Sequence, residues 1–246
     1  LANLDSAPPG LYPDQAMNGN NALEALRNTN FSARGESAFG GKVFYPENNG
    51  REGLFINLQA IPITLFGNVT WALRLPGALF GILTVFCLYL LTKELFRESK
   101  RREEIALLSA FLLATSFWDI IFSRIGFRAI MAPFFLTFAL YLLLKAIRET
   151  YETRLAATKL AAIAGTFYGL GFHSYIAYRV TPILILFIFW YYFRKAKAEK
   201  WQREFWQAVK YFTLTALIVF LPLGTYLVMN PQDFLGRTSQ ISIFSS

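Results

Sequence analysis

The sequence predicts an all-α, polytopic membrane protein with about six transmembrane helices, an interfacial helix and a long N-terminal outer loop. Three observations carry this reading. At 54% hydrophobic over 246 residues the composition alone is close to that of a soluble domain, but the apolar residues fall in long uninterrupted runs between short charged connections. Those runs have membrane length, since about 20 residues at 1.5 Å each cross a hydrocarbon core of about 30 Å. Three alternate connections, 93–104, 145–159 and 194–210, hold 15 of the 24 Lys and Arg, as expected of cytoplasmic loops under the positive-inside rule.

Residues 1–52 are rich in Asn, Gly, Pro and charge and form the outer loop. A short helix is expected from Gln15 to Arg27, with Asp14 at its N-cap. Glycines 35, 40 and 41 break the stretch that follows, and 43–52 reads as a turn-rich lead into the membrane. The multispan domain covers 53–229. Residues 53–67 are apolar but interrupted by Asn57, Gln59 and Pro62, and suit the membrane interface. Spans are expected at 75–96, 105–122, 129–144, 160–175, 180–193 and 211–229. Residues 230–246 begin a further outer loop. The chain opens at Leu1 with no leader or span ahead of the polar segment and stops at Ser246, so it is expected to be a fragment lacking a preceding anchor.

A net charge of +8 and a pI near 9.6 would first suggest nucleic acid, but loop topology accounts for most of the positive charge. One cysteine, Cys87, excludes an internal disulfide framework, and one histidine argues against a multi-His metal centre. No P-loop, G-x-G-x-x-G, G-x-S-x-G or paired-His motif is present, which disfavours soluble nucleotide chemistry. Few charges fall inside the spans, which disfavours an ion channel or proton pump.

The charges left on the outer side need another reason. Arg27, Arg34, Lys42, Arg51, Arg74, Arg124, Arg128, Arg179 and Arg237 are eight Arg and one Lys, whereas the cytoplasmic set mixes the two evenly. Planar guanidinium forks match phosphate oxygens, so an anionic membrane ligand is one reading. Each residue also has a simpler one. Asp14, after Pro8-Pro9-Gly10-Leu11-Tyr12-Pro13, is a helix cap or a rigidly held general base, and the two are compatible. Glu47, Arg51 and Glu52 are a solvated border or the edge of an outer pocket. Arg74 snorkels at the interface or binds the anion. Arg124 and Arg128 flank a tight turn, with Asp119 a structural partner for Arg124. His173 is a packing residue or, with Tyr175, Tyr178 and Arg179, a pocket wall. The aromatic run 190–193 is most simply an interfacial belt.

Three motifs, Tyr12-Pro13-Asp14-Gln15, Gly50-Arg51-Glu52-Gly53-Leu54-Phe55-Ile56 and Ala72-Leu73-Arg74-Leu75-Pro76, resemble those of the GT-C glycosyltransferases. The similar branch is the dolichyl-phosphate-mannose protein mannosyltransferase and aminoarabinose transferase group. The resemblance implies a multi-pass enzyme of the plasma (inner) membrane with its active site on the extracytoplasmic face. Its donor would be a polyprenyl-phosphate sugar and its acceptor a protein, lipid or glycan, with transfer by an inverting single displacement. It makes Asp14 the catalytic position. Arg51, Glu52, Arg74, Arg124, Arg128, His173, Tyr175, Arg179 and Arg237 become candidates for binding substrate and lipid phosphate. Many members of the group carry Asp-Glu where this chain has Asp14-Gln15, so no metal ligand set is assigned, and a divalent metal stays open as a cofactor. A non-catalytic transporter or flippase-like protein for an anionic lipid is the alternative.

Overall fold

The apolar runs fold as helices, because a bilayer offers no partner to a free backbone group and a helix satisfies its own. The computed structural model describes residues 3–27, 41–47, 50–149 and 154–233. Among them are α1 (Pro13–Arg27), α2 (Leu54–Phe66), α3 (Thr70–Leu95), α4 (Arg102–Ala114), α5 (Phe117–Arg124), α6 (Met131–Glu149), α7 (Arg154–Gly171), α8 (Thr181–Glu199) and α9 (Gln202–Met229). Short 3-10 turns, Arg128–Ile130 and Ile176–Val180, lead into α6 and α8. The only strands among the described residues are β1 (Phe44–Tyr45) and β2 (Arg51–Glu52), an antiparallel hairpin pairing Phe44 with Glu52 and Tyr45 with Arg51.

All six expected spans are helical, but they are not equivalent. Among the described residues four segments are long and apolar enough to cross a membrane: 70–95, 128–148, 176–199 and 202–229. The expected span 105–122 is instead two helices, α4 and α5, bent by 55°, which together would make a fifth. The break lies at Thr115-Ser116. The Thr115 hydroxyl donates back to the Phe111 carbonyl (2.9 Å), and Ser116 is extended, so the ladder stops and restarts. The expected span 160–175 is α7, which begins earlier and is richer in Ala and Gly than its neighbours. It packs between α6 and α9, and a helix walled by protein needs less apolar bulk than one facing lipid.

Small residues set that packing. Ala161, Gly165 and Gly169 repeat every four residues along the face of α7 toward α9, the spacing that lets membrane helices approach closely. A Cβ on Gly165 would collide with the Phe212 carbonyl, and one on Gly169 would lie 2.7 Å from the Ala216 carbonyl. The Thr215 hydroxyl donates across the gap to the Ala162 carbonyl (2.8 Å). Around this seam one core joins Phe134, Phe135, Leu143, Tyr168, Phe205 and Phe212 from α6, α7 and α9. The outward faces are apolar as well. Ile183, Leu186 and Phe187 on α8, Leu107, Leu108 and Phe111 on α4, and Leu217 and Ile218 on α9 are all exposed. Such surfaces are stable against lipid and unfavourable against water. The chain is a multi-pass, all-α membrane protein.

The connections sort to two ends. At one, Arg148 of α6 pairs with Glu94 of α3 (3.0 Å), and Lys93 with Glu103 at the start of α4 (2.6 Å). At the other lie α1, the hairpin, and the turns around 125–130 and 172–180. There α1 rests on α2 and the start of α3 through Ala22, Ile56, Ala60, Ile63 and Leu73. Enlarging Gly165 to Val should force α7 from α9 and cost about 1–3 kcal/mol. A lowered midpoint in detergent thermal denaturation checks this, with Ile163→Val on the exposed face of α7 expected to leave it unchanged.

Candidate active site

The hairpin is shaped by the two glycines that bracket Arg51-Glu52. Gly50 takes a positive φ of 74° beneath the Phe44 ring, and a Cβ on Gly53 would collide with the Lys42 carbonyl. The Gly53 N–H closes the turn on the Val43 carbonyl at 2.8 Å. This backbone carries two charged side chains into the protein: Arg51 is 1% exposed and Glu52 2%.

Glu52 reaches two arginines that stand just before separate helices. Its carboxylate lies 3.5 Å from Arg128 Nε and 3.6 Å from Arg179 Nη2. Arg128 is fully buried and stacks 5.4 Å from the Tyr175 ring centroid. His173 Nε2–H donates to the Val219 carbonyl (2.9 Å), and the ring lies within electrostatic range of Glu52. Arg51 turns toward α1, where Nη1 donates to Asn18 (2.8 Å) and Nη2 to Asn21 (2.6 Å). The structure thus brings Arg51, Glu52, Arg128, His173, Tyr175 and Arg179 together, with three guanidiniums and one carboxylate among these side chains. Beside the hairpin Tyr45 donates to Asn57 (3.2 Å), and burial pushes its phenol up, so it stays neutral.

Arg74 and Arg124 form a different group. Arg74 lies inside α3 rather than ahead of it and is fully buried. Its Nη1 donates to the Leu4 carbonyl (2.7 Å) and its Nη2 to the Gly10 carbonyl. Arg124 Nε and Nη2 donate to the carbonyls of Ala7 and Asn3, each at 3.1 Å. Two guanidiniums therefore bind residues 3–10 by their carbonyls. The Gln15 amide completes the clamp, accepting from Arg74 Nε (3.0 Å) and donating to the Ile125 carbonyl (3.2 Å) in the orientation that satisfies both.

That clamp fixes Asp14. The helix starts two residues earlier than expected, with Pro13 inside it and Asp14 in the first turn rather than at the cap, and the Ala16 N–H bonds to the Tyr12 carbonyl. Pro suits the first helical position, where its missing N–H costs nothing. Asp14 is half-buried and forms no hydrogen bond or ion pair among the described residues. Asn18, which holds Arg51, lies one turn further along the same face. Tyr12 meets Phe127 edge-on, and Phe127 meets Tyr175, so an aromatic path also joins this turn to the Arg128 cluster. Arg237 lies outside the described residues.

Sequence reasoning missed Gln15, Asn18 and Asn21. The signal was there, in polar residues recurring at helical spacing on a short amphipathic segment. Tyr178, read from the sequence as part of a pocket wall beside His173, has a buried hydroxyl with no hydrogen-bond partner among the described residues, and its ring fills the space left by Gly171. No group of three or more His, Cys, Asp or Glu side chains converges among the described residues. Glu52, the buried acid of the cluster, is already engaged by guanidiniums. The donor set does not fit a metal ion, and no step is routed through one. Beside the site, α2 and α3 enclose an apolar groove of about 330 Å³ lined by Leu58, Pro62, Leu65, Leu75, Leu79 and Leu83, among others.

A family model described as dolichyl-phosphate-mannose-protein mannosyltransferase matches residues 54–226, well over half of the chain. A Bacillus subtilis (strain 168) protein named "Putative mannosyltransferase YkcB" is 31% identical over 134 residues. That match covers 53% of this chain and 17% of the relative, so the chain corresponds to a small part of that protein's length. No solved structure gives a significant match.

Removing the Glu52 carboxylate would leave two cations facing each other in a buried site. Glu52→Ala should cost about 3–5 kcal/mol, read as a fall in the detergent thermal midpoint larger than that of Glu47→Ala on the exposed side of the hairpin.

Proposed function

Because the chain belongs to the dolichyl-phosphate-mannose-protein mannosyltransferase family, we propose that it transfers a sugar from a polyprenyl-phosphate carrier to an acceptor hydroxyl on a protein, lipid or glycan. The reaction takes place on the extracytoplasmic face of the plasma membrane, by inverting single displacement. The observation that carries this reading is the state of Asp14, whose carboxylate has no partner among the described residues and sits on a helical turn pinned by Gln15, in the helix whose Asn18 holds Arg51.

In this mechanism the Asp14 carboxylate takes the proton of the acceptor hydroxyl while that oxygen forms a bond to the anomeric carbon. The bond from that carbon to the phosphate oxygen breaks, and its electron pair leaves with the polyprenyl phosphate. Charge grows on the phosphate in the transition state, where preorganised cations give the most stabilisation. Arg128 and Arg179 are assigned to that task, since Glu52 balances one of their two charges and holds both forks in place. Arg51 is a positioning residue for the same pocket, Tyr175 forms its wall and His173 supports it. Arg74 and Arg124 act at one remove, by seating the segment that carries Asp14. Arg237 keeps its proposed role as a further phosphate ligand. The groove between α2 and α3 suits the polyprenyl chain, being apolar and walled by α2, the helix that follows directly on Arg51 and Glu52.

A general base contributes about 10²–10⁴-fold. Asp14→Asn in the full-length protein should reduce transfer of labelled sugar from polyprenyl phosphate by at least about 10²-fold, with thermal stability unchanged because the side chain has no partner to lose. Full transfer by that variant would remove Asp14 from the mechanism.

A further inference from the structure

The opposite end of the bundle holds a second cavity that the transfer reaction does not use. It has a volume of about 680 Å³, within the range of small-molecule sites, and lies where α3, α6 and α8 end beside the turn into α4. Arg97, Arg102, Arg148 and Lys195 supply four positive charges to its wall, against Glu98 and Glu199. Below the wall Glu94 is held by Arg148 at 3.0 Å and lies 4.0 Å from Arg97. Lys195 touches Glu199 only loosely, at 3.9 Å. The Arg102 side chain forms no hydrogen bond or ion pair among the described residues and is exposed. The balance of the lining is therefore positive, with its least engaged cations at the mouth.

The rest of the wall is apolar and aromatic: Leu95, Phe96, Ile147, Tyr191, Tyr192 and Trp201. Tyr191 is exposed toward the surroundings of the bundle, next to Trp190, over whose ring Arg194 lies at 6.0 Å. Aromatic side chains of this kind sit at the level of lipid headgroups. A cavity that is cationic at its polar rim and apolar on the side open to the bilayer has the two-part character of a phospholipid. A soluble phosphate compound would use only half of it.

We infer that this cavity is a binding site for the headgroup of an anionic phospholipid from the adjacent leaflet, with Arg102 and Lys195 engaging the phosphate and the headgroup resting against Tyr191 and Trp201. The positive-inside bias puts that leaflet on the cytoplasmic side.

The test is native mass spectrometry of the full-length protein, delipidated in detergent and titrated separately with phosphatidylglycerol, with phosphatidylcholine of the same acyl chains, and with inorganic phosphate. The expected result is roughly tenfold preference for phosphatidylglycerol over phosphatidylcholine, and no competition from inorganic phosphate at the same concentration. The double variant Arg102→Gln/Lys195→Gln should lose that preference while eluting as a single folded species. Arg203→Gln/Lys210→Gln, two charges on the same end outside the cavity, should keep it. Equal binding of the two lipids, a preference that survives the first variant or falls equally in the second, or displacement by inorganic phosphate would each overturn the assignment. None of these readouts depends on sugar transfer.

Discussion

A single carboxylate, that of Glu52, holds the loop end of the molecule together. Its two arginines stand 51 positions apart in the sequence, at Arg128 and Arg179, each in the 3-10 turn that leads into a long helix. Between them the carboxylate ties the hairpin to the start of both α6 and α8. Buried ions are costly to desolvate, and a pair recovers that cost only with good geometry and further bonds. Here Arg128 stacks on the face of Tyr175, and the backbone that carries the carboxylate is forced into shape by two glycines.

Around that centre, guanidinium does two kinds of work that look alike in a sequence. Arg74 and Arg124 are spent on main-chain carbonyls, and in that way they seat a proline-rich segment with no regular structure of its own. Five fixed N–H donors let one Arg bind several carbonyls of a single loop, which a Lys ammonium on a flexible stem does poorly. Arg128 and Arg179 face a carboxylate instead, with two positive charges against one. The difference between holding a loop and holding an anion thus lies in what the fork faces. The cationic cavity at the far end follows the same logic with looser pairs, as fits a ligand that exchanges with the bilayer.

Much of the fold was legible because hydropathy and helix length are coupled by the thickness of a membrane. The expected spans 75–96 and 211–229 correspond to α3, to within one residue at its C-terminal end, and to α9, whose extra turns at the N-terminal ends are polar enough to escape a hydropathy reading. The bend between α4 and α5 was not legible, because Thr115 and Ser116 look unremarkable in an apolar run until the Thr115 hydroxyl bonds back to the helix and Ser116 turns extended. The start of α7 was missed for the opposite reason: its first turns are small and polar, and only the protein on either side makes them part of the bundle. In the site, residue types were readable and partners were not. The excess of Arg on one side of the membrane was visible by counting. That Arg74 meets Leu4 and Gly10, or that Asn18 and Asn21 meet Arg51, depends on contacts across 30 to 70 positions, which no local pattern encodes.

The central claim is that the loop end forms one site, with Asp14 on one side of the reacting bond and the Arg128–Arg179 pair on the other. The most direct measurement is an experimental structure of the full-length protein bound to a polyprenyl-phosphate sugar analogue. The account predicts the phosphate within hydrogen-bond reach of Arg128 or Arg179, the lipid chain along the groove between α2 and α3, and the anomeric carbon facing Asp14. A phosphate bound away from both arginines, or a sugar whose anomeric carbon points away from α1, would contradict it.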